Sequence, residues 1–60
     1  MKITPNDDYI LLGTWIQLDK NKIYNAEIAT NQPDYKERGK IFVLPSGFML
    51  EKEDYQILEK

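Results

Sequence analysis

The chain has 60 residues, no cysteine, no histidine, and a net charge of −2 from eight basic and ten acidic side chains. That length allows one domain, with only about 60% of the unfolded surface buried on folding and no disulfide or cysteine-bound metal to staple it. Without histidine or cysteine the usual general base and nucleophile pairs are missing, and the slight acidic balance disfavours a plain electrostatic grip on nucleic acid, so a non-catalytic protein is expected.

Residues 1–9 form an N-terminal arm that reads in two ways. Thr4 before Pro5, then Asp7 and Asp8 and finally Gly13, are the cap, first-turn and stop signals of a short helical turn over residues 5–9. The apolar run Tyr9-Ile10-Leu11-Leu12 serves equally as the start of a buried strand. The arm lacks the apolar stretch of a secretory leader, and nothing in the chain approaches the roughly 20 apolar residues of a transmembrane helix, so a cytoplasmic protein without a membrane partner is expected.

From Leu12 onward short strands dominate. Residues 12–18 read as the first of them, and Thr14 to Leu18 alternates, with Ile16 and Leu18 on one face and Trp15 and Gln17 on the other. Asp19-Lys20-Asn21-Lys22 is a polar turn. In the next strand, residues 23–28, Tyr24, Ala26 and Ile28 share a face. Residues 30–39, bracketed by Pro33 and Gly39, predict one exposed loop of about ten residues, longer than the usual 4–6.

Residues 41–44 are the strongest strand signal, and Pro45-Ser46-Gly47 turns the chain back into Phe48-Met49-Leu50. Glu51 to Asp54 has room for one 3₁₀ turn before a last strand over residues 55–58. A helix over residues 48–60 is the competing reading, but Leu50, Asp54 and Leu58 place an acid in the middle of its apolar stripe.

Five short strands in so small a chain close best as a strongly bent barrel, which removes most exposed edges. The expected fold is all-β, a single five-stranded barrel over residues 1–60. Its core is expected to combine Ile16, Leu18, Tyr24, Ala26, Ile28, Ile41, Val43, Leu50 and Ile57.

Three patches carry a resemblance. Leu12 to Leu18 resembles the opening strand of the Tudor and SH3-like small barrels. Tyr24-Asn25-Ala26-Glu27-Ile28 is similar to their second strand, where a small Ala lets strands cross closely. Phe42 to Gly47, Leu50 and Asp54 to Leu58 resemble the third-to-fourth hairpin and the terminal strand. The layout also resembles small uncharacterised phage and prophage proteins of Gram-positive bacteria. The resemblance implies an SH3-like barrel. It does not carry over Pro-rich peptide binding, which rests on an Ala-Leu-Tyr-Asp-Tyr-type segment and a Trp pair absent here, nor methyl-lysine reading, because no aromatic cage is matched.

The chemistry points to binding. Asp7 with Asp8, and Glu51, Glu53 and Asp54, are the only carboxylate groupings; neither has calcium-loop spacing, and both read as solvated turns, so no metal and no cofactor is expected. No small-molecule substrate is inferred. If Ile16 and Leu18 face the core, Trp15 faces out, and by the same alternation Phe42 and Ile23 do too. An outer patch of Trp15, Ile23 and Phe42, with Tyr35 at its rim, is the candidate surface for a protein partner or for self-association. In the other reading the arm, through Tyr9 or Ile10, covers this face as a second small core. Lys20, Lys22, Lys36, Arg38 and Lys40 are the one basic grouping and carry the nucleic-acid alternative, set against Asp19, Asp34 and Glu37. An accessory subunit of a larger enzyme is the remaining alternative.

Overall fold

The computed structural model describes residues 1–60. In chain order the elements are β1 (Lys2–Pro5), β2 (Tyr9–Ile10), β3 (Gln17–Leu18), β4 (Tyr24–Ile28), α1 (Tyr35–Arg38), β5 (Ile41–Val43), β6 (Phe48–Leu50), a 3₁₀ turn (Lys52–Asp54) and β7 (Tyr55–Glu59). Five strands form a curled antiparallel sheet in the order β6-β5-β4-β1-β7, a half-barrel with β6 and β7 at its edges. Strands β2 and β3 pair separately as a hairpin.

Four of the five expected strands lie where alternation puts them. Ala26 pairs with Val43 and Ile28 with Ile41, while Ile41 pairs with Leu50 and Val43 with Phe48. One face of β4, β5 and β6 is therefore continuously apolar. The turn from β5 to β6 is closed by the Gly47 N–H donating to the Val43 carbonyl at 2.7 Å. The 3₁₀ turn forms as anticipated, with Glu51 and Asp54 capping it reciprocally. No helix spans residues 48–60.

The first strand is not the expected one. Residues 12–18 supply only the two-residue β3, and the place in the sheet is taken by β1, from the arm. Residues 5–9 form no helix. β1 lies between β4 and β7, pairing Ile3 with Tyr24 on one side and with Ile57 on the other. Proline is rare in such a position because it cannot donate to a ladder. Pro5 escapes the conflict because β4 pairs only with Lys2 and Ile3, so the missing N–H lies beyond that ladder. On the other side Pro5 stands opposite Tyr55 while the next residue, Asn6, donates to the Asp54 carbonyl at 2.9 Å.

The core follows from this substitution. Ile3, Leu18, Ala26, Ile41, Val43 and Leu50 are buried together, with Tyr9, Tyr24, Phe48 and Tyr55 packed around them. Ile3 fills the position expected of Ile16, which is only half-buried. Ile28 and Ile57, expected in the core, are instead 56% and 47% exposed. Ile28 lies past the start of β1, whose pairing on β4 begins at Asn25 opposite Lys2, so no strand covers it on that side. Ile57 is on an edge strand, next to an irregularity in register where Lys2 pairs with Glu59 but Ile3 with Ile57.

The interval 30–39 is not a plain loop. Tyr35–Arg38 make one helical turn, stopped by Gly39 at φ 62°, where the Lys40 N–H donates to the Tyr35 carbonyl at 3.0 Å. Tyr55 Oη donates to the Gly39 carbonyl at 2.6 Å and ties the segment to β7. A Cβ at Gly39 would stand 2.7 Å from Lys52 Cβ. Gly39→Ala should therefore lower stability by about 1–3 kcal/mol through both backbone strain and this clash. Thermal melts followed by circular dichroism measure it, and an unchanged midpoint would contradict the packing described.

Candidate functional site

The hairpin Tyr9–Leu18 contains no charged residue, yet much of it is in solvent. Leu12 is 90% exposed and Trp15 fully exposed, with Ile10 and Leu11 also on the surface. The tip is held in shape. Leu11 and Ile16 continue the ladder, the Ile16 carbonyl accepting the Leu11 N–H at 3.1 Å. The Leu11 carbonyl accepts both the Thr14 N–H at 3.1 Å and the Thr14 hydroxyl at 2.7 Å. Thr14 Oγ1 in turn accepts the Ile16 N–H at 3.1 Å. Gly13, at φ 80°, occupies the third position of this turn, where a positive φ favours glycine.

The base of the hairpin is fastened to the body. Leu18 is in the core, and the rings of Tyr9 and Phe48 are 6.0 Å apart. Tyr9 Oη donates to Asp54 Oδ1 at 3.3 Å; burial first, and the Asp54 charge next, raise the Tyr9 hydroxyl above its ordinary value. Asp8 Oδ1 accepts the Lys20 N–H at 2.7 Å across the two ends of the hairpin. Asp7 Oδ1 accepts the Asp8 N–H at 2.8 Å. Both carboxylate groupings singled out in the sequence thus serve local structure: Asp7 and Asp8 at the hairpin, Glu51 and Asp54 at the 3₁₀ turn.

A second feature is a groove of about 670 Å³ at one end of the sheet. Ile28, Tyr55, Ile57 and Met1 line it, Tyr35 of α1 forms a further wall, and the buried Ala26 and Ile41 also border it. Lys36, Lys40 and Lys60 stand around it against a single acid, Glu27. Burial raises the Tyr55 hydroxyl above its ordinary value, so it donates to Gly39 as a neutral phenol through the physiological range.

The site residues expected from the sequence are separated by the fold. Trp15 is exposed, but on the hairpin tip: residues 11–16 form no strand, so the alternation that placed Trp15 on an outer sheet face does not operate there. The arm does not cover it, because the arm is β1. Ile23 is exposed just before β4. Phe42 does turn away from the core between Ile41 and Val43, but it is half-buried, and its cross-strand neighbours are Glu27 and Met49. Tyr35 belongs to the groove. The sequence reading missed Leu12 and Ile10 as surface groups. Their signal was the uncharged stretch around a central Gly-Thr pair, which marks a turn as well as a strand.

The basic grouping is also divided. Lys20 and Lys22 flank the turn at Asn21, while Lys36, Arg38 and Lys40 belong to the α1 segment. Arg38 Nε lies 2.9 Å from Asp34 Oδ2 and Nη1 3.5 Å from Glu51 Oε2. Asp34 Oδ1, shut off from solvent, has Lys40 Nζ at 2.7 Å. The hydrogen bond from Lys40 holds the Asp34 carboxyl below its ordinary value of 3.8. A depressed carboxyl stabilises the fold above that value, and the contribution is lost as the pH falls through the lower folded-state value. Acid titration by NMR should show the Asp34 carboxyl with a midpoint below 3.8, and Lys40→Ala should move that midpoint upward. A midpoint at or above 3.8 would contradict the pairing.

No helix is long and apolar enough to cross a membrane. No protein-family model, no curated protein and no solved structure matches this chain.

Proposed function

We propose that this protein is a non-catalytic protein–protein interaction or small assembly module of SH3-like architecture, and that it docks through the hairpin tip Ile10–Ile16 with Trp15 as anchor. The observation that carries this reading is a hydrogen-bonded, uncharged tip whose most exposed side chains, Trp15 and Leu12, lie outside the core. A small domain has little apolar surface to spare, and a tip fixed by the Thr14 hydrogen bonds and exposing both side chains is suited to insertion in a partner. Tryptophan is also the side chain most often found as a binding hot spot. The curled sheet and short strands support the SH3-like architecture. The absence of histidine and cysteine supports a role without catalysis.

Immobilised protein incubated with extract of its source cells is the test. Trp15→Ala should reduce capture of a specific partner by about 10- to 30-fold, the effect of a central aromatic anchor. Capture that is undiminished by Trp15→Ala, or that is replaced by salt-sensitive retention of nucleic acid, would overturn the reading.

A further inference from the structure

Two apolar surfaces of this chain are uncovered, and they are complementary. One is convex: the hairpin tip, carrying Trp15 and Leu12, uncharged from Tyr9 to Leu18 and flanked by Asp7, Asp8 and Asp19 against Lys20 and Lys22. The other is concave: the groove of about 670 Å³ between Ile28, Ile57 and Tyr35. Its border is oppositely charged on balance, with Lys36, Lys40 and Lys60 against Glu27. Lys36 and Lys60 pair with no carboxylate, and only Lys40 is engaged, by Asp34. The volume falls within the range of about 300–1,000 Å³ typical of sites that enclose a ligand, enough for an indole and a leucine together. No hairpin residue lines the groove, so one molecule can use both surfaces at once.

From these features we infer that the hairpin tip of one copy seats in the groove of a second copy. Trp15 and Leu12 lie against Ile28 and Ile57, with Asp7 and Asp8 toward Lys36 and Lys60. This rests on the reading of the hairpin as a docking element and names its partner. The contact joins two different surfaces, so copies add head to tail, into a ring or an open chain according to the rotation between them. Net charge of −2 offers little repulsion to such stacking. The interface is small. An aromatic side chain buries about 150–250 Å², and with Leu12, Leu11 and Ile10 the total stays below the roughly 1,200–2,000 Å² of a standard complex. Association is therefore expected to be weak and reversible, with a Kd on the order of 0.1 mM.

The head-to-tail geometry has a signature that patch-on-patch dimerisation lacks. Trp15→Ser removes the convex surface, and Ile57→Lys places a charge in the concave one at a half-exposed position. Sedimentation velocity of the wild type should show species growing beyond dimer across roughly 10 µM to 1 mM, a range that brackets this Kd. Each variant alone should remain monomeric, and an equimolar mixture should form a 1:1 dimer and nothing larger. Because Trp15 is the only tryptophan, its emission should shift to the blue in that mixture, since only the Ile57→Lys chain carries it. Ile28→Lys provides a second groove variant should Ile57→Lys alter the melting midpoint. A wild type that stays monomeric throughout, or variants that do not complement each other, would overturn the inference. Loss of host-partner capture in Trp15→Ala with a strictly monomeric wild type would sink the self-docking alone, leaving the interaction module standing.

Discussion

Ile3→Ala should leave little folded protein. Ile3 has no solvent exposure and stands between Tyr24 and Ile57 on an interior strand of the sheet. Truncating a buried isoleucine costs about 2–5 kcal/mol, because apolar contacts are lost and the cavity collapses only in part. A 60-residue domain has roughly 3–9 kcal/mol in total, at about 0.05–0.15 kcal/mol per residue. The variant should therefore lose most of its stability. Ile28→Ala is the control, since Ile28 is already more than half exposed and should cost under about 1 kcal/mol. Urea unfolding of both variants measures the difference. Equal losses would mean that β1 is not an interior strand of the sheet.

The second large effect is expected in binding and not in folding. Trp15→Ala deletes the largest side chain of the protein but removes nothing from the core, so its unfolding free energy should match the wild type within about 0.5 kcal/mol. Its association with a partner should fall by at least tenfold, as expected when a central aromatic anchor is removed. Phe42→Ala should behave differently. Phe42 is half-buried between β4 and β6, so its truncation should cost stability as well. A Trp15→Ala variant that unfolds would show that the indole packs against its own chain.

Local alternation was enough to find β4, β5, β6 and β7 and the turns joining β5 to β6 and β6 to β7. β4, β5 and β6 are successive sheet strands that pair along a shared apolar face, and β5 and β6 are joined by a short turn. It failed where the partner is remote. β1 pairs with β7, so Lys2 meets Glu59 from the opposite end of the chain. Nothing in Lys2-Ile3-Thr4-Pro5 reports that pairing, and Pro5 argues against a central strand. The resulting error spread. Once β1 fills the sheet, residues 11–16 are no longer needed there, and Ile16 loses its core position to Ile3. The candidate surface was legible in its chief residue, Trp15, but for the wrong reason. Strand alternation exposes one face only, whereas a hairpin tip exposes neighbouring residues together, Leu12 with Trp15. Gly13 was the available sign: its positive φ belongs to a turn, not to the opening of a strand. The groove was not legible, because it depends on where β1 stops against β4 and on a helical turn within a segment that composition presents as loop.

Acrylamide quenching of Trp15 tests the docking role of the hairpin most directly. The chain has a single indole, so the signal needs no assignment. In dilute protein the indole should be quenched almost as freely as a small tryptophan derivative in water, and in the partner complex the quenching constant should drop severalfold while the far-ultraviolet circular dichroism stays unchanged. An indole shielded in the dilute protein, or one equally accessible before and after the complex forms, would contradict the assignment of the hairpin tip as the docking surface.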